Sequence, residues 1–161
     1  MTENNIFLAI KAAIVTGCTA FSVAFGWLGW LVVAWVLCMA IDWITGSAAA
    51  AATGEWSSAK ARSGIWHKAG MIAVVLVAAL SDAVLSIVLA NVPALQIAYS
   101  CLLTPLVLVW YIFTELGSIA ENAASMGAPV PAWLVKMLAA AKKAADDALP
   151  GDDVADENSN R

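Results

Sequence analysis

Residues 12 to 41 carry no charged side chain, and after Asp42 a second neutral stretch runs from Trp43 to Gly54. A helix that is apolar on every side has no face to offer water, so it belongs in a large core or in lipid. A single helix from Ile6 to Thr53 would be about 70 Å long, more than twice the thickness of a hydrocarbon core. The run must therefore turn. Gly26-Trp27-Leu28-Gly29-Trp30 is the best place, with two glycines for the bend and two tryptophans suited to the membrane interface. Composition points the same way. In 161 residues, 62% are hydrophobic and 12% charged, and the mean hydropathy is +0.83. That leaves too little polar surface for a soluble single-domain enzyme, a disordered chain or a nucleic-acid binder.

The pattern predicts an all-α integral membrane protein with three to four transmembrane helices, four being the favoured number, plus a C-terminal amphipathic interfacial helix. The spans fall near residues 6–25, 27–53, 66–90 and 94–121, within a transmembrane region covering 1–131. Lys11 has to snorkel outward from the first of them. A polar break from Gly54 to Gly64 precedes the third span, and Asn91-Val92-Pro93 precedes the fourth. Pro105 should kink that last span, which neighbouring membrane helices tolerate. Residues 132–149 read as a helix lying on the bilayer surface. Trp133, Leu134, Met137, Leu138 and Ala141 share one face, and Lys136, Lys142 and Lys143 lie off it. Residues 150–161 read as a disordered acidic tail.

The formal charge of −4 is a property of that end, since six of the twelve acids lie between Asp146 and Glu157. The remainder is slightly basic. Lys60, Arg62 and Lys68 cluster at the polar break, and Lys136, Lys142 and Lys143 follow the last span. Both groups serve as cytoplasmic anchors, which places the C-terminus in the cytoplasm. Cys18, Cys38 and Cys101 each lie in an apolar run and read as small buried hydrophobes, not as a disulfide or metal framework. Val15-Thr16-Gly17-Cys18 has the small-residue look of a lipoprotein cleavage site. Only four apolar residues separate Lys11 from Thr16, too few for a signal core.

Three carboxylates interrupt the spans, and an ionisable group in lipid is costly enough to count as a functional candidate. Each lies on a helical stripe of small or polar residues. Asp42 shares a face with Cys38, Thr45, Gly46 and Ala49; Asp82 shares one with Ala78, Ala79 and Ser86; Glu115 shares one with Tyr111, Ser118 and Asn122. Such stripes allow close helix approach and hydrogen bonding across the contact. Asp42, Thr45, Gly46, Asp82, Ser86, Glu115, Ser118 and Asn122 are therefore the candidates for packing between helices or for lining an aqueous lesion. Asp42 and Asp82 are expected at similar depth. Nothing reads as catalytic: the single histidine, His67, has no second ligand nearby, and no cofactor site is expected.

An ordered set of features over residues 27–131 resembles the phage lysis holins and the toxin-secretion holins. Asp42-Trp43-Ile44-Thr45-Gly46 is similar to that family's Asp-x-x-Thr-Gly at the end of a hydrophobic helix. Ser58, Lys60, Ser63, Gly64 and Lys68 are similar to its Ser/Lys/Gly loop, and Asp82 to an acid in the following span. Glu115-Leu116-Gly117-Ser118-Ile119-Ala120-Glu121-Asn122, with Gly127 through Pro131, resembles its Glu-x-x-Ser-x-x-Glu-Asn ending. The tail departs from the resemblance, passing from lysines to acids where holin tails are commonly basic. The resemblance implies a homo-oligomer in the host bacterial inner membrane that opens lesions at a programmed time. Its partners would be the lipid bilayer and an endolysin, with an antiholin as an optional one. The rival readings are a small ion channel or transporter with an acid-lined pathway, and a non-conducting antiholin or scaffold.

Overall fold

Backbone groups in lipid find no water, so an apolar chain that satisfies them within one segment must be helical. The computed structural model describes residues 3–92, 99 and 101–147 and is all-α. Its elements are α1 (Glu3–Ala52), α2 (Ser58–Asn91), α3 (Leu103–Ser125) and α4 (Ala132–Asp147). Among the described residues, α1, α2 and α3 are each long and apolar enough to cross a membrane. Pro93, the expected span start at 94–98, the last two residues of the expected 132–149 helix and the expected acidic tail at 150–161 lie outside the described residues.

The helical run of α1 is interrupted at Gly26, with φ 61° and ψ −159°. Only glycine occupies that region without strain, because a Cβ there collides with its own backbone. Residues eight or nine apart in a straight helix are separated by 12 Å or more along the axis, by roughly 1.5 Å per residue. Here Trp30 Nε1 donates to Ser22 Oγ at 2.9 Å, and the Phe21 and Trp30 rings meet edge to face at 4.9 Å. The chain therefore turns a corner inside the pentapeptide Gly26–Trp30 and resumes as helix at once. Residues 5–20, before the corner, are exposed throughout. Gly26→Ala should cost about 1–3 kcal/mol in backbone strain and favour a straight α1. Spin labels at Val15 and Val36, both exposed, should then move apart towards about 30 Å. An unchanged separation would mean that packing, not Gly26, makes the corner.

The arm of α1 after the corner packs on α3, α3 packs on α2, and α1 and α2 barely touch. The core accordingly forms around α3: Leu108 is fully buried among Trp35 and Met39 of α1 and Met71 and Val75 of α2. Tyr111 stacks on Trp35 with ring centroids 6.1 Å apart.

Two expectations change here. Residues 99, 101 and 102 are not helical, and α3 begins only at Leu103. Pro105 thus sits in the first turn, where its missing N–H has no intrahelical role, and it starts the helix instead of kinking it. At the other end Gly127, with φ 88°, closes α3 as Gly127 N–H and Ala128 N–H return to the carbonyls of Ala124 and Ala123 at 2.9 and 3.0 Å. That turn sends α4 back along α3. The amphipathic helix therefore lies against a neighbouring helix, its inner face being Leu134, Leu138, Ala141 and Ala145.

Candidate functional site

Three apolar helices carry one charged side chain each to the same height. Asp42 lies ten residues before the end of α1, Lys68 ten after the start of α2 and Glu115 ten before the end of α3. All three are therefore about 15 Å from the same end of the bundle. The Lys68 ammonium donates to Asp42 Oδ2 at 3.0 Å and to the two Glu115 oxygens at 2.8 and 2.7 Å. Asn122, two turns beyond Glu115 on the same face, donates through Nδ2 to Asp42 Oδ1 at 3.1 Å and Thr45 Oγ1 at 3.2 Å. Thr45 directs its own proton to the Ile41 carbonyl at 2.9 Å, which leaves its oxygen free to accept. A Cβ added at Gly46 would touch Asn122 Nδ2 at 3.4 Å, so α1 and α3 meet across a small residue.

The cluster holds two acids and one base. Its members differ in their access to water: the side chain of Glu115 is 4% exposed, that of Lys68 17% and that of Asp42 20%. A cleft of about 280 Å³ opens on Asp42 and Lys68, with Trp43, Trp56, Ser118 and Asn122 on its walls and Glu115 behind them. Glu115 is the dry side of the cluster and Asp42 the wet side. One ammonium shared between the two carboxylates is what makes the arrangement tolerable among apolar helices, because an unpaired ion there costs several kcal/mol, on the order of 3–5.

Asp82 belongs to a different site. Fourteen residues separate it from Lys68 along α2, about 21 Å. The expected equal depth with Asp42 does not hold, because the short 53–57 link makes Lys68, not Asp82, level with Asp42. Asp82 instead reaches the start of α3, whose first amides have no partners of their own and whose cap residue, Leu102, supplies no side-chain bond. Oδ1 accepts from Leu102 N–H at 3.2 Å, Leu103 N–H at 2.9 Å and the Tyr99 hydroxyl. Oδ2 accepts from Thr104 N–H at 2.7 Å, Thr104 Oγ1 at 2.6 Å and Cys101 Sγ at 3.0 Å. A carboxylate at a helix N-terminus also meets the positive end of the helix dipole.

The structure thus brings Asp42, Thr45, Gly46, Glu115 and Asn122 together, with Ser118 at the edge of the cleft. Asp82 stands apart, and Ser86 is exposed on α2. Lys68, expected to be a surface anchor, is the centre of the cluster. Lys60 and Arg62 fall in the first turns of α2, and Lys136 and Lys143 are on the outer side of α4. Lys142 lies 4.6 Å from the centroid of the Trp110 ring. Cys18, read as buried, is exposed. The signal for Lys68 was available: Asp42 and Lys68 flank the 53–57 link at equal distances.

The sequence profile of the bacteriophage holin family matches residues 19–143, from just before the Gly26 corner to the last turns of α4. No curated protein and no solved structure matches the chain. With the match covering most of its length and every residue of both polar clusters, the chain belongs to the bacteriophage holin family.

Proposed function

We propose that this membrane-embedded protein oligomerises in the bacterial inner membrane and opens it at a programmed time, so that an endolysin reaches the cell wall. The observation that carries this reading is the Lys68 bridge between Asp42 and Glu115, a charged cluster hidden among three apolar helices. While the helices stay together, both acids share the Lys68 ammonium within one chain. When they separate or exchange partners, Asp42, Thr45, Glu115, Ser118 and Asn122 become a polar lining for water. The role is non-enzymatic and needs no cofactor. The C-terminus and the 53–57 link face the cytoplasm in this reading, because Lys60 and Arg62 fall in the first turns of α2 and Lys136 in the first turns of α4, at that end.

Induction in bacteria should collapse the membrane potential abruptly after a delay, with viability lost at the same moment. The purified chain should release dextrans of graded size from vesicles. Release of ions alone would support the channel reading, and release of nothing would overturn both. Orientation is checked by cysteine labelling from outside the cell. The background carries Cys18→Ala, Cys38→Ala and Cys101→Ser, the last keeping a donor for Asp82. A cysteine at Asn91 should label and one at Ser58 should not; the opposite result inverts the topology.

A further inference from the structure

The apolar stripe of α4 is larger than its seat. Leu134, Leu138, Ala141 and Ala145 face α3, whereas Trp133 and Met137, each 62% exposed, are left outside together with Lys136 and Lys143. On a bilayer surface Trp133, Leu134, Met137, Leu138 and Ala141 could all be buried at once, with the lysines at the headgroups. The two seats use the same residues and exclude each other. The seat on α3 also has a cost of its own. It holds the Lys142 ammonium over Trp110, a residue in the apolar first half of α3, where the cation–π attraction of the ring offsets only part of the expense of a charge among apolar helices. Beneath α4 the groove is walled by Phe113, Thr114, Gly117, Ser118, Ala120 and Glu121 of α3. Gly117 and Ala120 let another membrane helix approach closely, and the hydroxyls of Thr114 and Ser118 can hydrogen-bond across such a contact.

We infer that α4 is a displaceable cover: docked, it occupies the face of α3 used for subunit contact, and on transfer to the bilayer surface it frees that face for α3 of a second copy. This rests on the permeabilising function for its consequence but not for its test. Oligomer formation then depends on where α4 sits, and the lipid surface competes with α3 for it. Anionic headgroups favour the released form, because Lys136, Lys142 and Lys143 move to them together.

The full chain, with its native cysteines replaced as above, should carry Thr114→Cys and Lys142→Cys, two positions that border the same groove. A short reducible bis-thiol linker is attached in detergent, and the protein is reconstituted into dye-loaded vesicles of anionic phospholipid. The linked protein should stay monomeric, with dye release at least tenfold slower, and reductant should restore both. Ala145→Leu enlarges a buried contact while adding lipid affinity, so it should form oligomers at a severalfold lower protein-to-lipid ratio. Oligomers of equal size with and without the linker would overturn the inference, as would an Ala145→Leu protein that needs more protein per lipid. Oligomers that respond to the linker but release no dye leave the inference standing and remove the proposed lesion instead.

Discussion

Lys68→Met should be the most disruptive single change in the charged cluster. Methionine keeps the length and the apolar stem of lysine but removes the ammonium that Asp42 and Glu115 share. Both acids then lose donors while remaining within reach of one vacated position, and Glu115 has almost no water to turn to. Removing one partner of a buried ion pair typically costs about 3–5 kcal/mol. Against a total stability of roughly 5–15 kcal/mol, that loosens the contact between α1, α2 and α3. The variant should insert but melt earlier in detergent, and it should permeabilise vesicles at a lower protein-to-lipid ratio. Adding Asp42→Asn and Glu115→Gln should recover most of the lost stability, because two neutral amides and an apolar methionine of similar volume leave no unpaired charge. Restored melting with a raised threshold for release would assign the charges to opening. A Lys68→Met protein that melts like the parent would show that the bridge holds nothing together.

The membrane character, the corner and the residue types of the cluster were legible from the chain, for identifiable reasons. A charge-free run is a solvent preference, and Gly26 is marked by its tryptophan neighbours, so neither needed tertiary information. Asp42, Thr45, Glu115 and Asn122 stood out because polar groups on apolar helices have few other uses. Their partner was harder to see. Lys68 follows Lys60 and Arg62 closely enough to pass for one more surface anchor. Its burial depends on the brevity of the 53–57 link and on α3 passing between the other two helices. The start of α3 was marked by Pro105 alone, a residue that suits a first helical turn as well as a kink. Residues 92–102 are mostly apolar with Pro93, Gln96 and Ser100 among them, and composition does not say which residue opens the helix. The tertiary contact that fixes Leu103 as the first helical residue comes from Asp82. The seat of α4 was hidden for a similar reason: an amphipathic stripe states that something apolar covers it, and both α3 and a bilayer satisfy the statement.

That contact is the second place where a single atom should matter greatly. Asp82→Asn keeps the volume and one accepting oxygen but replaces the other with an amide that can only donate. Whichever way the amide turns, it meets N–H groups: Leu102 and Leu103 on one side, Thr104 on the other. At least one amide of the first turn of α3 is then left buried without an acceptor, and the negative charge at the positive end of the helix is gone. Hydrogen bonds to a charged group contribute about 1.5–3 kcal/mol each, so the expected loss is about 3 kcal/mol or more. For a chain of this size that lowers the melting midpoint by about 10 °C. Amide exchange should accelerate at Leu103 and Thr104 before it does at Leu108, since fraying begins at the uncapped end. Asp82→Leu removes both oxygens and should do more. The sequence alone made this carboxylate a candidate for lining an aqueous lesion, and that role separates cleanly from capping α3 in dilute detergent, where the chain is alone. If Asp82→Asn leaves melting and exchange of the monomer unchanged but slows permeabilisation, the carboxylate works between chains. If the monomer softens first at the start of α3, its work is done inside one chain, as the anchor that fixes where the third apolar helix begins.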